Sequence, residues 1–99
     1  MMERCLNVAI EIVLEEEQFT LMEDGQEVGR ITFVPQDPGT MIVDYIFLED
    51  RLRGQGHAEQ LVQRIVEHAR ANGQKIVPTC PYVYAQFRRN TSYHDVWKK

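Results

Sequence analysis

The segment Arg51-Leu52-Arg53-Gly54-Gln55-Gly56-His57-Ala58 decides the fold, because the spacing of apolar residues changes across it. Upstream, apolar residues alternate with polar ones or fill short runs, which is typical of strands. Downstream, they recur at helical spacing. A strand that runs through a glycine-rich turn into an amphipathic helix predicts a mixed α+β architecture, with a loop that an anion can approach closely.

Upstream of this segment the sequence predicts four strands in an antiparallel meander. Alternating apolar residues over 6–14 predict a first, half-buried strand, and Phe19 and Leu21 mark a second. The Asp24-Gly25 pair readily supplies the positive φ angles of a tight hairpin turn. These two strands and the turn therefore predict the beginning of an antiparallel sheet.

The third and fourth strands lead into the glycine-rich segment. Val28–Val34 predicts the third strand, and Pro35–Gly39 predicts a loop, because its two prolines lack the N–H group that a strand ladder needs. Met41–Leu48 is almost entirely apolar, with Asp44 as the exception. Such a run predicts a central strand that is covered on both faces.

Downstream, the pattern predicts a helix, a short strand and a second helix. The first helix has one apolar face and ends at Asn72-Gly73, a pair suited to a left-handed cap. A short strand over Lys75–Val77 follows, and Pro81–Arg89 predicts a helix with proline in its first turn. The order β-β-β-β-α-β-α ends in a βαβ crossover, so the fourth and fifth strands are expected to pair in parallel. The apolar face of the first helix comprises Ala58, Leu61, Val62, Ile65, Val66 and Ala69.

Length and composition predict one α+β domain over residues 1–99. Hydrophobic residues make up 43% of the 99, which is enough for a single core. Cys5 and Cys80 are too few for a disulfide scaffold, so free thiols and a cytoplasmic location are expected. No apolar run approaches the roughly 20 residues of a membrane-spanning helix, and no secretory signal is recognisable. The sequence therefore predicts no membrane partner.

Charge is distributed unevenly about the glycine-rich segment. The net charge is −4, but residues 1–50 carry 12 acidic and 2 basic side chains, whereas residues 51–99 carry 3 and 9. The basic half suits an anionic ligand and the acidic half suits a cationic one, although ordinary surface charge explains the same counts. An acidic chain argues against nucleic acid as a partner.

The chemistry of the glycine-rich segment predicts a pyrophosphate site. The first turn of a helix leaves N–H groups unpaired and its dipole favours negative charge, while Arg51 and Arg53 add positive charge. A P-loop would need Gly-x4-Gly-Lys-Ser/Thr, which is absent, and a dinucleotide fingerprint needs a third glycine where Glu59 stands. A purely structural strand-to-helix turn remains the alternative.

Several motifs together resemble the GNAT acetyltransferase superfamily, and in particular its small, stand-alone YjdJ-type branch. The glycine-rich segment is similar to the Gln/Arg-x-x-Gly-x-Gly/Ala motif of that superfamily. The resemblance is strong over about residues 41–97. It also includes Ala69-Arg70-x-Asn72-Gly73, Ile76-Val77-Pro78-x-Cys80-Pro81-Tyr82-Val83, Arg88-Arg89 and Tyr93-x-Asp95.

The resemblance implies a protein that binds acetyl-CoA and moves its acetyl group to an unidentified amine. Backbone N–H groups of residues 53–58 would hold the pyrophosphate, and the pantetheine arm would lie where the fourth and fifth strands separate. Arg88 and Arg89 are candidates for the 3′-phosphate, since arginine pairs well with phosphate. The residues expected at the nucleotide are Arg51, Arg53, Gly54, Gln55, Gly56, His57, Ala58, Arg88 and Arg89.

Three residues are candidates for catalysis. Cys80 precedes a helix, where a thiol pKa is lowered, so transfer through acetyl-cysteine stands beside direct attack by the amine. A small, buried packing residue is the other interpretation of Cys80. Tyr82, or alternatively Tyr84, would protonate the CoA thiolate, as a tyrosine does in related enzymes. Asp44 is the lone acid of an apolar strand, where burial would raise its pKa and suit a base. A paired or edge-facing carboxylate is the alternative that the sequence favours. His68 and His94 have no partners at metal-ligand spacing, so no metal is expected.

The sequence departs from the family pattern on the fourth strand. Related proteins carry a His-Thr-Glu-like run there, where this chain has Tyr45 at the histidine position and Phe47 at the glutamate position. Two alternatives to the enzyme therefore stay open: a non-catalytic CoA-binding module, and a protein-interaction domain whose glycine-rich turn is structural. An exposed strand edge would also permit a homodimer.

Overall fold

The computed structural model describes residues 10–98 of the chain. The described part is a five-stranded sheet in the order β1-β2-β3-β4-β5, with two α-helices and two short 3-10 helices. Its first four strands pair antiparallel and β4 pairs with β5 in parallel, which confirms the predicted topology. The elements are β1 Ile10–Glu15, β2 Gln18–Glu23, β3 Gln26–Asp37, β4 Thr40–Leu48, 3-10 helix Asp50–Leu52, α1 His57–Ala71, β5 Lys75–Pro78, α2 Pro81–Arg89 and 3-10 helix Thr91–Val96.

The hairpin between β2 and β3 turns at the predicted pair. Asp24 has φ 51° and Gly25 has φ 83°, so both central residues adopt the positive φ that a tight hairpin requires. The first strand is described only from Ile10, so the earlier part of the predicted strand and Cys5 lie outside the described residues.

Two predictions about the middle of the sheet are wrong. The third strand continues through Pro35, which pairs with Met41, and a register shift before Asp37 accommodates the proline. Strand β4 is covered on only one face, because helix α1 packs on a single side of the sheet. The opposite side carries Asp44 and Tyr45, both exposed. The apolar run therefore belongs to a half-exposed strand.

Helix α1 supplies the main cover of the sheet. Its predicted stripe is confirmed, and five of the stripe residues are buried against strands β2, β3 and β5. Burial of such an aliphatic side chain contributes about 1.5–3 kcal/mol each. The helix ends at the predicted cap, where Gly73 has φ 67° and Gln74 N–H donates to Ala69 O at 2.8 Å. The buried stripe comprises Leu61, Val62, Ile65, Val66 and Ala69.

The tail covers the β5 side of the sheet. Trp97 forms an isolated parallel bridge with Ile76, and Lys98 N–H donates to Ile76 O at 2.8 Å. The Trp97 ring also contacts the rings of Tyr84 and Phe87 on α2. Trp97 therefore packs the tail onto the sheet. At the other side, β1 pairs with β2 alone within residues 10–98, and the homodimer at an exposed strand edge stays a prediction.

The pairing of β4 with β5 is short. It runs only from Thr40 opposite Lys75 to Val43 opposite Pro78, after which β4 continues to Leu48 without β5. At the same point Asp44 has no register partner in β3, since Thr32 pairs with Tyr45 and Phe33 with Val43. Such a bulge re-aims side chains and bends the strand. The two strands therefore separate from residue 44 onward.

Within residues 10–98, no helix is both long enough and apolar enough to cross a membrane. The same residues contain no group of three His, Cys, Asp or Glu side chains placed to hold a metal ion.

Candidate active site

A cavity of about 720 Å³ opens where β4 leaves β5. One wall is the second half of β4, a second is the glycine-rich turn with the start of α1, and a third is the start of α2. The structure thus brings together residues far apart in the sequence. The lining residues are Asp44, Tyr45, Ile46, Leu48, Arg53, Gly54, Gly56, Ala58, Glu59, Cys80, Pro81 and Tyr82.

The glycine-rich turn needs its glycines for conformation and for access. Gly54 has φ 82° and Gly56 has φ 87°, a region that other residues adopt only with strain. A Cβ built at either glycine meets no atom within 4 Å, so the backbone faces open space in the cavity. Any side chain at these two positions would fill the space that a bound group needs.

Helix α1 begins at this turn with N–H groups that no carbonyl of the helix accepts. Gly56 is its N-cap, and the bond from Gln60 N–H to Gly56 O at 3.1 Å is the first turn of the helix. The N–H groups of residues 57–59 precede that bond and have no helical acceptor. They lie at the positive end of the helix dipole. The geometry fits an anionic group such as pyrophosphate.

Arg53 adds charge at this end of the cavity, and His57 is the first residue of the adjoining helix. His57 Nδ1 is buried and, within residues 10–98, has no hydrogen-bond partner. A buried polar atom without a partner is costly, but His57 does not line the cavity, so its expected contact with phosphate stays a prediction. Arg53 lines the cavity and pairs with Asp50 at 3.2 Å, with the two side chains 67% and 96% exposed. Such an exposed pair is weak, so Arg53 can exchange it for a phosphate.

Two residues of the same segment turn away from the cavity. Arg51 pairs with Glu23 and Glu49 and does not line the cavity, so its expected charge at the phosphate is already neutralised. The Gln55 amide donates to Arg51 O at 3.0 Å, which directs this side chain back along the loop. The expected phosphate role of the Arg51 side chain is therefore not supported by its contacts.

Arg88 and Arg89 lie in the last turn of α2, whereas the cavity is bounded by the first. The Arg88 guanidinium stacks 6.0 Å from the centre of the Tyr84 ring, and both arginines are exposed. The structure does not bring either residue to the cavity wall. Their contact with a 3′-phosphate stays a prediction.

Asp44 is not a buried acid but the paired carboxylate that is the favoured alternative in the sequence. It is exposed, and its Oδ1 accepts a hydrogen bond from Thr32 Oγ1 at 2.7 Å. Its exposure agrees with the open face of β4 in the described part of the chain. The side chain nevertheless lies at the cavity wall next to Tyr45, which is 48% exposed.

Cys80 and Tyr82 stand together at the start of α2. Cys80 is a free thiol, buried, and is the N-cap residue of the helix, and its N–H donates to Val43 O at 3.3 Å. Burial raises the pKa of the Tyr82 phenol above its usual range, and the Glu59 charge raises it further. The Gln86 amide donates to the Tyr82 hydroxyl at 3.2 Å. Tyr84, the alternative acid, lies outside the cavity lining.

A second groove of about 480 Å³ adjoins the first at Asp44, which lines both. Its walls include Glu15, Glu16 and Glu17 at the turn between β1 and β2. Gln18 and Thr20 bind Glu15 Oε1 at 3.3 and 2.6 Å, which holds this carboxylate in place. We call this feature the acidic groove.

A family model for GCN5-related N-acetyltransferases matches residues 18–96, which include every residue of the cavity. This chain belongs to the GCN5-related N-acetyltransferase family. The match confirms the resemblance to the GNAT superfamily, while the YjdJ-type branch stays a prediction. None of the curated proteins compared with this acetyltransferase matches it.

Solved structures agree with the family. A GCN5-like protein from Staphylococcus aureus, solved by NMR, is 30% identical with a TM-score of 0.75, covering 89% of this chain and 87% of that one. The GNAT acetyltransferase YhbS from Escherichia coli, solved with CoA, is 26% identical with a TM-score of 0.62. That likeness covers 71% of this acetyltransferase and 43% of YhbS, so this chain aligns with less than half of the larger relative.

A third structure supports the fold alone. A GNAT acetyltransferase from Elizabethkingia anophelis, solved with acetyl-CoA bound, is 19% identical with a TM-score of 0.59. The likeness covers 77% of this chain and 51% of that protein. The chain therefore has the fold of larger acetyltransferases without their full length.

Sequence reasoning did not assign four residues of the cavity in this acetyltransferase. Ile46 and Leu48 give the β4 wall its apolar character, and Pro81 closes the cavity beside Cys80. Glu59 lies in the first turn of α1 and its charge reaches the Tyr82 phenol. Its place at the cavity could have been predicted from the sequence, because Glu59 lies three residues after Gly56 in the first turn of the helix.

Proposed function

We propose that this protein binds acetyl-CoA in the cavity between β4, α1 and α2 and transfers the acetyl group to a cationic amine. One observation carries the proposal. A single cavity joins an anion-binding helix start, with Gly54 and Gly56, to an acid candidate, Tyr82. A cosubstrate with a pyrophosphate at one place and a thioester at another matches that layout.

The nucleotide end would be held mainly by backbone groups. The N–H groups at the start of α1 would bind the pyrophosphate, and the absent side chains of Gly54 and Gly56 allow its close approach. Arg53, which lines the same cavity, would add positive charge. Acetyl-CoA would supply an activated acyl group, and the protein would hold that group in position for transfer.

The pantetheine arm would lie along the second half of β4. Beyond Val43 this strand has no β5 neighbour, so its edge faces the cavity. Peptide-like amides of the arm can pair with such an edge as an added strand would. Ile46 and Leu48 offer apolar contact on the same wall. The thioester would then reach the region of Asp44, Cys80 and Tyr82.

We infer direct attack of the amine on the thioester carbon as the first route. A C–N bond forms, the C–S bond breaks, and the electron pair leaves on the CoA sulfur. Tyr82 would donate its proton to this thiolate, since its raised pKa keeps the phenol protonated at neutral pH. Asp44 would take the proton that the ammonium must lose, and Thr32 orients its carboxylate.

Transfer through Cys80 is the second route. The Cys80 sulfur would attack the thioester carbon and form acetyl-cysteine with release of CoA, and the amine would then attack that new thioester. Cys80 lines the cavity, as this route requires. The residue is buried, however, and buried structural thiols are generally inert. The direct route therefore has the better support.

The acidic groove supports a cationic acceptor. It meets the cavity at Asp44, so an amine held there would point its nitrogen at the thioester. Three neighbouring glutamates would attract positive charge and raise the local concentration of cations. Because the two openings meet, the substrate would be an amine that carries a second positive charge. That second charge would lie in the acidic groove.

A non-catalytic CoA-binding module is the second candidate function. The observation that favours it is strand β4, where Tyr45 and Phe47 replace the expected polar run and Arg30 lies 5.8 and 5.3 Å from their ring centres. An arginine stacked on aromatic rings cannot accept a proton. Such a module would bind CoA with the same loop and show no transfer.

Calorimetric titration with acetyl-CoA, CoA and ATP tests the cofactor. We expect saturable binding of both CoA compounds and much weaker binding of ATP. Gly56→Glu should abolish the binding of acetyl-CoA and CoA by placing charge and bulk at the phosphates. Gly25→Glu is the matched control, since Gly25 has a similar φ of 83° in the distant hairpin. Undetectable CoA binding by the parent protein would leave an interaction domain as the better description.

A further inference from the structure

Arg51 forms a two-sided ion pair outside the cavity. Its Nη2 pairs with Glu23 Oε1, its Nη1 donates to Glu23 Oε2 at 3.4 Å, and its Nε donates to Glu49 Oε1 at 3.1 Å. The planar guanidinium suits such forked contacts, which lysine cannot reproduce. The Glu23 side chain is only 17% exposed, so this end of the contact is shielded from solvent.

These contacts connect the glycine-rich turn to two strand ends. Glu23 is the last residue of β2 and Glu49 follows β4, where its N–H donates to Val28 O at 3.0 Å. On the loop side, Arg51 O accepts the Gln55 amide at 3.0 Å. The segment between Arg51 and α1 contains two positive-φ glycines, whose backbone loses much freedom on ordering. A brace at its start limits that freedom.

Arg51 and Arg53 differ in the carboxylates that surround their guanidinium groups. Arg51 faces two carboxylates, so its charge is more than balanced before any ligand arrives. The hydrogen bond from Arg51 lowers the pKa of Glu23, which keeps this carboxylate ionised and paired. Arg53 pairs with the exposed Asp50 and lines the cavity. The two arginines of the segment therefore have different tasks.

We infer that Arg51 is a positioning residue, which with Glu23 and Glu49 holds the glycine-rich turn in its phosphate-accepting conformation and does not itself bind phosphate. The inference rests on the proposed binding of CoA. It assigns Glu23, a residue of the acidic half of the chain, to the maintenance of an anion site.

The two possible roles of Arg51 predict opposite effects of Glu23→Gln on CoA affinity. If Arg51 bound phosphate, removing the Glu23 charge would release the guanidinium and strengthen CoA binding. If Arg51 braces the turn, Glu23→Gln must weaken CoA binding, as Arg51→Met does. Because both substitutions break one contact, their effects should not add in the double variant.

Calorimetric CoA affinities of the parent, Glu23→Gln, Arg51→Met and the double variant provide the test. We expect each single variant to bind CoA about three- to tenfold more weakly, in line with a partly shielded charged contact, and the double variant to be no weaker than the worse single one. Glu27→Gln, which breaks the Glu27–Arg30 pair on the same hairpin, should leave CoA affinity unchanged.

Arg51→Lys distinguishes a fork from a point charge. Bracing the turn requires the forked contacts of the guanidinium, so the Arg51→Lys protein should bind CoA as weakly as the Arg51→Met protein does. In both variants without CoA, amide hydrogen exchange of residues 54–58 should be faster than in the parent. Near-parental affinity of Arg51→Lys, tighter binding by Glu23→Gln, or additive losses would each overturn the inference. Absence of CoA binding by the parent would instead refute the proposed function.

Discussion

The hydroxyl of Thr32 donates a hydrogen bond of 2.7 Å to Asp44 Oδ1, although Thr32 is paired in the sheet with Tyr45. The contact is possible because Asp44 is the extra residue of a bulge and has no cross-strand neighbour of its own. The hydroxyl therefore holds the Asp44 carboxylate in a defined position between the cavity and the acidic groove. A solvated surface acid has no such fixed position.

Asp44→Asn should lower kcat for a cationic amine about 100-fold, since general bases contribute typically 10²- to 10⁴-fold. The affinity for acetyl-CoA should stay within about twofold, because Asp44 is not among the groups proposed to hold the pyrophosphate. Steady-state rates with alkyl diamines and matched monoamines measure both effects. Glu11→Gln, an exposed change on β1, is the control. An unchanged kcat in Asp44→Asn would remove the residue from the mechanism.

Tyr82→Phe should reduce kcat about 10- to 100-fold by removing the proton donor to the thiolate. The pKa of Tyr82 is raised by burial, so parental activity should persist through neutral pH and fall only above the usual tyrosine pKa of about 10. The variant should lack that alkaline decline. A pH–rate profile of both proteins checks the prediction, with Tyr84→Phe as the control on the same helix. Equal profiles for parent and Tyr82→Phe would contradict it.

Cys80→Ala should retain kcat within about threefold if the amine attacks directly. The thiol is buried, so its removal acts mainly on packing at the start of α2. Mass spectrometry of the parent protein, quenched with acid during turnover, should show no acetyl group on Cys80. An acetylated peptide containing Cys80, together with an inactive alanine variant, would establish the covalent route instead.

The sequence predicts the strand order and both helices because those features depend on local patterns. The α1 stripe is read from spacing alone, and the turn at Asp24-Gly25 from two residues. The glycine-rich loop is predictable for the same reason, since Gly54 and Gly56 stand between a strand and a helix. These signals lie within a few residues of the features that they specify.

Features that depend on distant partners could not be predicted in this way. Arg51 turns from the cavity because Glu23, 28 residues earlier, lies beside it in the folded chain. Asp44 is exposed because helix α1 covers only one side of the sheet, which the apolar composition of β4 does not reveal. Pro35 pairs with Met41 because a register shift next to it relieves the missing donor. Each error has a tertiary cause.

The Arg70–Asp95 pair provides a prediction about stability and pH. Arg70 Nε and Nη2 each bind one Asp95 oxygen at 2.8 Å, Nη2 also donates to Ser92 O, and Lys75 Nζ donates to Asp95 O at 2.6 Å. These contacts fasten the tail to α1 and β5. Since the Arg70 hydrogen bond lowers the pKa of Asp95, the native state favours the ionised carboxylate.

A lowered carboxyl pKa stabilises the fold above the unfolded pKa of about 3.9, and the contribution is lost as pH falls through the lower native value. Asp95→Asn should therefore reduce the melting temperature at pH 7 and have a shrinking effect toward pH 2. In an Arg70→Gln background the same change should have little further effect, because the partner is already absent. Thermal unfolding followed by circular dichroism between pH 2 and 7 measures both. A difference between parent and Asp95→Asn that persists undiminished at pH 2 would show that packing of the tail, and not the ion pair, is responsible.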